Sequence, residues 1–413
     1  MSGMNMYSGQ YLVVDLASGK TEEEYLDEDE MQKYLGGMAY NVALYKKHAD
    51  GDPVVLGSGL LTGSLVPSAS AGVITAKSPI TGKVAHAPFT WFTGLEFKLS
   101  GFDFMVLKNK AAKPTYLWVR DEIADVEDAS AVWGKDTWAT TDALREELGE
   151  DRIQVIGIGP AGEKGEKTAA VNTNYWGAGD RFGFGAVLGA KKVKAIAVRG
   201  MGELDIDDPK GFVEACKKLR AEVKPGGKGL DPVMKLAGVD PIDSWYAPLL
   251  HRYSAGYNSP HALWPYLKYN EDPKVLKSTP IKEPGVLVTD PAALAALRAA
   301  KKSPTDAAKQ LEKDFREGRN PLASATGASG ITAWPGKTAT PEESVYSNWA
   351  PHTDKDWAYR NALSCTMGIC PIAGLLYSQL NEKTYAELVN LATGWELSAD
   401  AIRSAVESAM KAA

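Results

Sequence analysis

Between Tyr7 and Arg199 the apolar residues come in short alternating blocks, and beyond Asp205 they recur at helical spacing. Residues 7 to 26 alternate around Asp15-Leu-Ala-Ser-Gly19, which predicts a strand, a turn and a strand. From Asp27 to Lys47, Met31, Tyr34, Leu35, Met38 and Val42 share one helical face behind an N-cap, with an interruption at Gly36-Gly37. Further strands are predicted at 53–57, 71–76, 104–108, 115–120, 153–158, 168–172 and 195–198, and a helix at 140–148. At Asp205-Ile-Asp-Asp-Pro209 the texture changes, because Asp before Pro opens a helix over 210–223. A loop at 224–229, helices at 291–301 and 305–318, a Gly/Ala/Ser/Thr-rich connection over 319–341, and helices at 355–363, 384–393 and 398–411 complete the pattern. The class is α+β: a sheet-rich part over 1–203 and a mostly helical region over 204–413.

Composition narrows the classes. With 413 residues, 44% of them apolar, the chain can fill two or three domains. No run approaches bilayer length, and the first residues lack a basic stretch followed by an apolar block, which predicts no membrane span and a cytoplasmic location. The net charge of −6 is interspersed rather than blocked, which argues against a nucleic-acid partner. Cysteine occurs at Cys216, Cys365 and Cys370, a sparse odd set that suits a reducing compartment. Three thiols cannot supply the four that usually hold an iron–sulfur cluster, so a [4Fe-4S] cluster is not expected from this chain alone.

Candidate chemistry concentrates in residues 153–200. Gly177, Gly179, Gly183 and Gly185 allow close backbone approach, and Arg181 among them is a fork suited to phosphate. Gly157-Ile-Gly159-Pro-Ala-Gly162 matches a dinucleotide fingerprint with Asp180 near the ribose-acid spacing, but Pro160 and the charged run after it favour a turn into another strand over the helix such a site needs. His48, His86, His251, His261 and His352 show no paired metal-ligand spacing and read as surface or hydrogen-bonded histidines. No nucleophile elbow or Walker loop occurs. Trp245 to Tyr269 is rich in Trp and Tyr, as at a cofactor cleft, an interface or a packing layer between domains. Cys216 reads as a core position, and Cys365 and Cys370 as buried thiols before a helical tail.

Ordered segments resemble the tungsten-containing aldehyde:ferredoxin oxidoreductase family. They are Tyr11 to Gly19, Tyr34-Leu-Gly-Gly37, Gly59-Leu-Leu-Thr-Gly63, Ala76-Lys-Ser-Pro-Ile-Thr-Gly82, Gly94 to Asp103, Asp128 to Gly134, Ile158 to Glu163 and Arg181 to Gly189, with Met367-Gly-Ile-Cys370 and Tyr385 to Trp395 resembling the final domain. The resemblance implies a base domain carrying tungsten or molybdenum on two pterins in a saddle. Lys77, Ser78, Gly94, Gly179, Arg181, Gly183 and Gly185 would contact the pterin, and Cys370 would be one cluster ligand. The family's Cys-x-x-Cys-x-x-x-Cys run is absent, as is the middle that carries its proposed proton-transfer Glu and His; no catalytic residue is assigned. Cys365 stands where the final motif has Asp, Ala71 where an Arg is expected and Pro88 where an Asn is expected. Two readings follow: a pterin-type oxidoreductase subunit, acting on aldehydes or related carbonyl compounds if active, that takes cluster and acid–base residues from a partner; or a catalytically silent paralogue serving as a scaffold. In either, the shortened cover over the cofactor face predicts a homo-oligomer or a redox partner subunit.

Overall fold

The computed structural model describes residues 4–223 and 355–412, except 90, 91, 168, 175, 178, 179 and 181. The expected loop at 224–229, the helices at 291–301 and 305–318, the connection at 319–341 and the aromatic segment at 245–269 lie outside the described residues. Two six-stranded sheets form the base. The first contains β1 (Gln10–Asp15), β2 (Lys20–Tyr25), β3 (Val54–Ser58), β4 (Gly72–Lys77), β5 (Val84–Phe89) and β6 (Phe104–Lys108), in the order β2-β1-β6-β3-β4-β5. The second contains β7 (Thr115–Arg120), β8 (Ile123–Asp128), β9 (Gln154–Gly157), β10 (Asn172–Thr173), β11 (Trp176–Gly177) and β12 (Val193–Arg199), in the order β11-β10-β9-β12-β7-β8. Pairs β1–β6 and β7–β12 are parallel, and the other paired strands are antiparallel.

The period-two alternation decides how the sheets stack. Leu12 and Val14 of β1, Val54 and Leu56 of β3, Ile74 and Ala76 of β4, and Met105 and Leu107 of β6 meet Leu117 and Val119 of β7 and Ile196 and Val198 of β12 in one core. The intervening residues Tyr11, Val13, Val55, Val73, Phe104 and Val106 face the other way, into a helical core. That core is built from α1 (Glu28–Tyr34), α2 (Gly37–Lys47), α7 (Pro209–Glu222), α8 (Lys355–Met367), α9 (Pro371–Leu376), α10 (Glu382–Thr393) and α11 (Ala399–Ala412). On the far side, α4 (Thr137–Leu148) puts Leu144 against Tyr116, Val155, Ala195 and Ala197. The layers are helices, sheet, sheet and helix. Cys216 is buried in the helical core, and Asp208 caps α7 by accepting from Gly211 N, both as the spacing predicts.

Several elements depart from the sequence reading. β5 forms although Pro88 lacks an N–H; a strand at the edge of a sheet tolerates that loss. β8 is the half-exposed edge of the second sheet, so its acidic residues hide the alternation. α3 (Phe92–Lys98), α5 (Pro160–Glu163) and α6 (Phe184–Ala190) are short helices within glycine-containing stretches. A single helical turn does follow Gly159, where a turn into a strand was expected. It does not make a dinucleotide site, because β9 is antiparallel to both β10 and β12. The strand expected over 168–172 is the two-residue β10.

Two buried ion pairs tie helices and loops to this frame. Lys98 Nζ donates to Asp103 Oδ1 at 2.6 Å and lies 4.1 Å from the Tyr7 ring centroid, while Asp103 Oδ2 accepts from Ser8 Oγ at 2.8 Å and Gly9 N at 3.1 Å. Burial pulls the Lys98 pKa down and Asp103 opposes it. Lys194 pairs with Glu163 and donates to Lys135 O at 2.6 Å, and Glu163 accepts from Gly134 N. Removing one member of a buried pair strands the other charge. Lys98→Met is therefore expected to destabilise the chain by about 3–5 kcal/mol in chemical denaturation, and Asp103→Leu added to it should recover most of that loss. An unchanged midpoint for the single variant would contradict this role.

Candidate functional site

Residues 59–71, between β3 and β4, receive the C-terminal segment that follows α8. Leu60 N donates to Thr366 O at 3.3 Å, Leu61 N to Met367 O at 2.8 Å, Ala71 N to Gly368 O at 2.9 Å, and Cys370 N to Ser68 O at 2.9 Å. The approach is backbone to backbone and leaves no room for side chains. A Cβ on Gly37 would lie 2.0 Å from Cys365 O, one on Gly59 2.0 Å from Gly368 N, and one on Gly368 2.0 Å from Thr62 Oγ1. Gly368 also holds φ +83°, a region costly for other residues. Thr62 Oγ1 accepts from Gly59 N and donates to Ala71 O, which ties the two ends of the loop together.

A second centre lies where the turn after β4 meets the loop before α6. Ser78 Oγ donates to Phe182 O at 2.7 Å and accepts from Ile80 N and Thr81 N. Asp180 accepts from Val171 N at 3.0 Å, Phe182 N at 2.8 Å and Phe184 N at 2.9 Å. Burial pushes its carboxyl up to about 6, against the pull of these amides. Asp180, which falls near the spacing of a ribose-binding acid, is the hub of its own loop.

The residues expected to contact a pterin thus divide. Ser78 and Gly183 meet, since a Cβ on Gly183 would lie 3.0 Å from Pro79 and 2.0 Å from Lys167 O. Lys77 ends β4 with its side chain exposed. Gly94 sits at the other end of that strand, with its Cβ position 2.2 Å from Ser70 O, roughly 17 Å of extended backbone away. Gly185 packs on Ala169 O and Ala170 O. Gly179 and Arg181 lie outside the described residues. Cys370 sits at the start of α9, joined to Ser68, and so belongs to the Gly94 end.

The chemistry of that end is polar and soft. Cys365 and Cys370 are both buried, and burial, then the neighbouring Cys370, pushes the Cys365 thiol up to about 12. Thr93, beside Gly94, and Thr366, beside Leu60, carry buried hydroxyls with no partner among the described residues. Unsatisfied buried hydroxyls are uncommon and fit a polar group entering between these elements. For an iron–sulfur cluster the donor set does not fit: the described residues bring two thiols here and form no group of three or more His, Cys, Asp or Glu placed to hold a metal.

Residues 11–200 match the model of the aldehyde ferredoxin oxidoreductase N-terminal domain. The N-terminal half of this chain belongs to that domain family. The chain is 36% identical over 233 residues to the tungsten-containing aldehyde ferredoxin oxidoreductase of Pyrococcus abyssi, covering 54% of this chain and 38% of that protein. It is 30% identical over 224 residues to the aliphatic sulfonate oxidoreductase, WOR-like subunit, of Pyrococcus furiosus, covering 49% of this chain and 36% of that protein. The chain thus spans well under half the length of the curated relatives it matches. Among solved structures, a chain of the active-site complex BamBC of benzoyl coenzyme A reductase, in complex with 1,5-dienoyl-CoA, superposes with a TM-score of 0.62 at 16% identity. That superposition covers 99% of this chain and 88% of that one, and so shares the fold. No helix among the described residues is long and apolar enough to cross a membrane.

Two outcomes test the site geometry. Gly368→Ala should lower stability by at least about 1–2 kcal/mol from the left-handed backbone alone, with added loss from the Thr62 contact. Melting curves unchanged by the substitution would contradict the close approach. Because the folded state raises the Asp180 pKa from 3.8 to about 6, its protonation favours folding. That contribution is fully present below pH 3.8 and is lost as pH rises through about 6. Carboxyl ¹³C titration should place the Asp180 midpoint near 6, and a midpoint below the ordinary carboxylate value would contradict it.

Proposed function

We propose that this chain is a tungstopterin-type oxidoreductase subunit that completes its redox site with a partner. The observation that carries the reading is the backbone ladder seating residues 366–370 on the 59–71 loop beside Gly94. It seats residues that resemble the family's final-domain motif on the 59–71 loop, an arrangement that supports closure over a cofactor face. The likeness to the WOR-like subunit of Pyrococcus furiosus supports an assembly. When bound, the tungstopterin would supply two-electron oxidation or reduction of an aldehyde or related carbonyl compound. Lys77, with Arg181 and Gly179, would hold its phosphates, and Thr93 and Thr366 would bond its polar edge. Ser78, Gly94, Gly183 and Gly185 would shape the loops around it. Cys370 would be one cluster ligand, the remaining thiolates and the acid–base groups coming from a redox partner or a second copy.

A specific observation favours a second reading, a catalytically silent scaffold. The Ser78 hydroxyl is engaged by the chain's own backbone, and Gly94, Gly183 and Gly185 each press on it. These contacts give every one of those residues a role without a ligand.

Metal and pterin analysis of anaerobically purified protein separates the two. The isolated chain should carry substoichiometric tungsten and no four-iron cluster, whereas the chain captured with its partner should carry both with pterin fluorescence after oxidation. A full cluster in the isolated chain would contradict the need for a partner. A partner complex free of tungsten, molybdenum and pterin would leave the scaffold.

A further inference from the structure

We draw no further inference here: the strongest candidate, the apolar surface patch where Leu95 of α3 and Leu204 meet over Gly63, flanked by the exposed Leu65 of the 59–71 loop and the exposed Phe92 of α3, carries nothing because nothing in the structure shows what covers it.

Discussion

The described structure depends on a contact that only glycine permits. Four amides cross between the 59–71 loop and residues 366–370, and three glycines at that seam have Cβ positions about one bond length closer to a neighbour than packing allows. Side chains there would hold the backbones apart and break the ladder. Because the seam closes, residues far apart in sequence share one apolar core: Met31, Phe104, Phe212, Met367, Tyr385 and Val406 belong to a single cluster. Tyr7 extends the seam outwards, stacking on Trp395, whose indole N–H donates to Glu28. The final helices are thus part of the base rather than an appendage to it.

Much of the sandwich was legible because its strands obey one rule. Tyr11 to Val14, Val54 to Leu56 and Phe104 to Leu107 alternate between two buried faces, and either face alone would have marked them. The rule fails where other physics intervenes. In β5, His86 and Pro88 sit at positions expected to be apolar, since His86 is satisfied by Thr75 and Pro88 lies on an edge strand. In α6, Gly185, read as allowing close backbone approach, packs on Ala169 O and Ala170 O, and Gly189 lies against Gly162 of α5.

The site was legible in part and for mixed reasons. Cys365 and Cys370 stood out from their spacing, but nothing in that spacing said that Cys370 would bond Ser68 or that Cys365 would lie against Gly37; only the resemblance tied Gly59 to Gly63 to the same frame. Asp180 fell at a suggestive distance from a glycine fingerprint and proved to organise backbone amides instead. A lone acid flanked by glycine and amide-rich turns is the signal that could have shown this. The family match covers residues 11–200, the base, and the likeness to the P. abyssi enzyme reaches 38% of that enzyme's length.

Amide hydrogen exchange at the seam tests this account most directly. Leu60, Leu61, Ala71 and Cys370 should exchange only through the same opening as the central strand β4, with matching protection, because they are one cooperative unit with it. Rapid exchange at those four amides while β4 stays protected would mean that the C-terminal segment docks loosely, and would contradict the seam as the structure's organising contact.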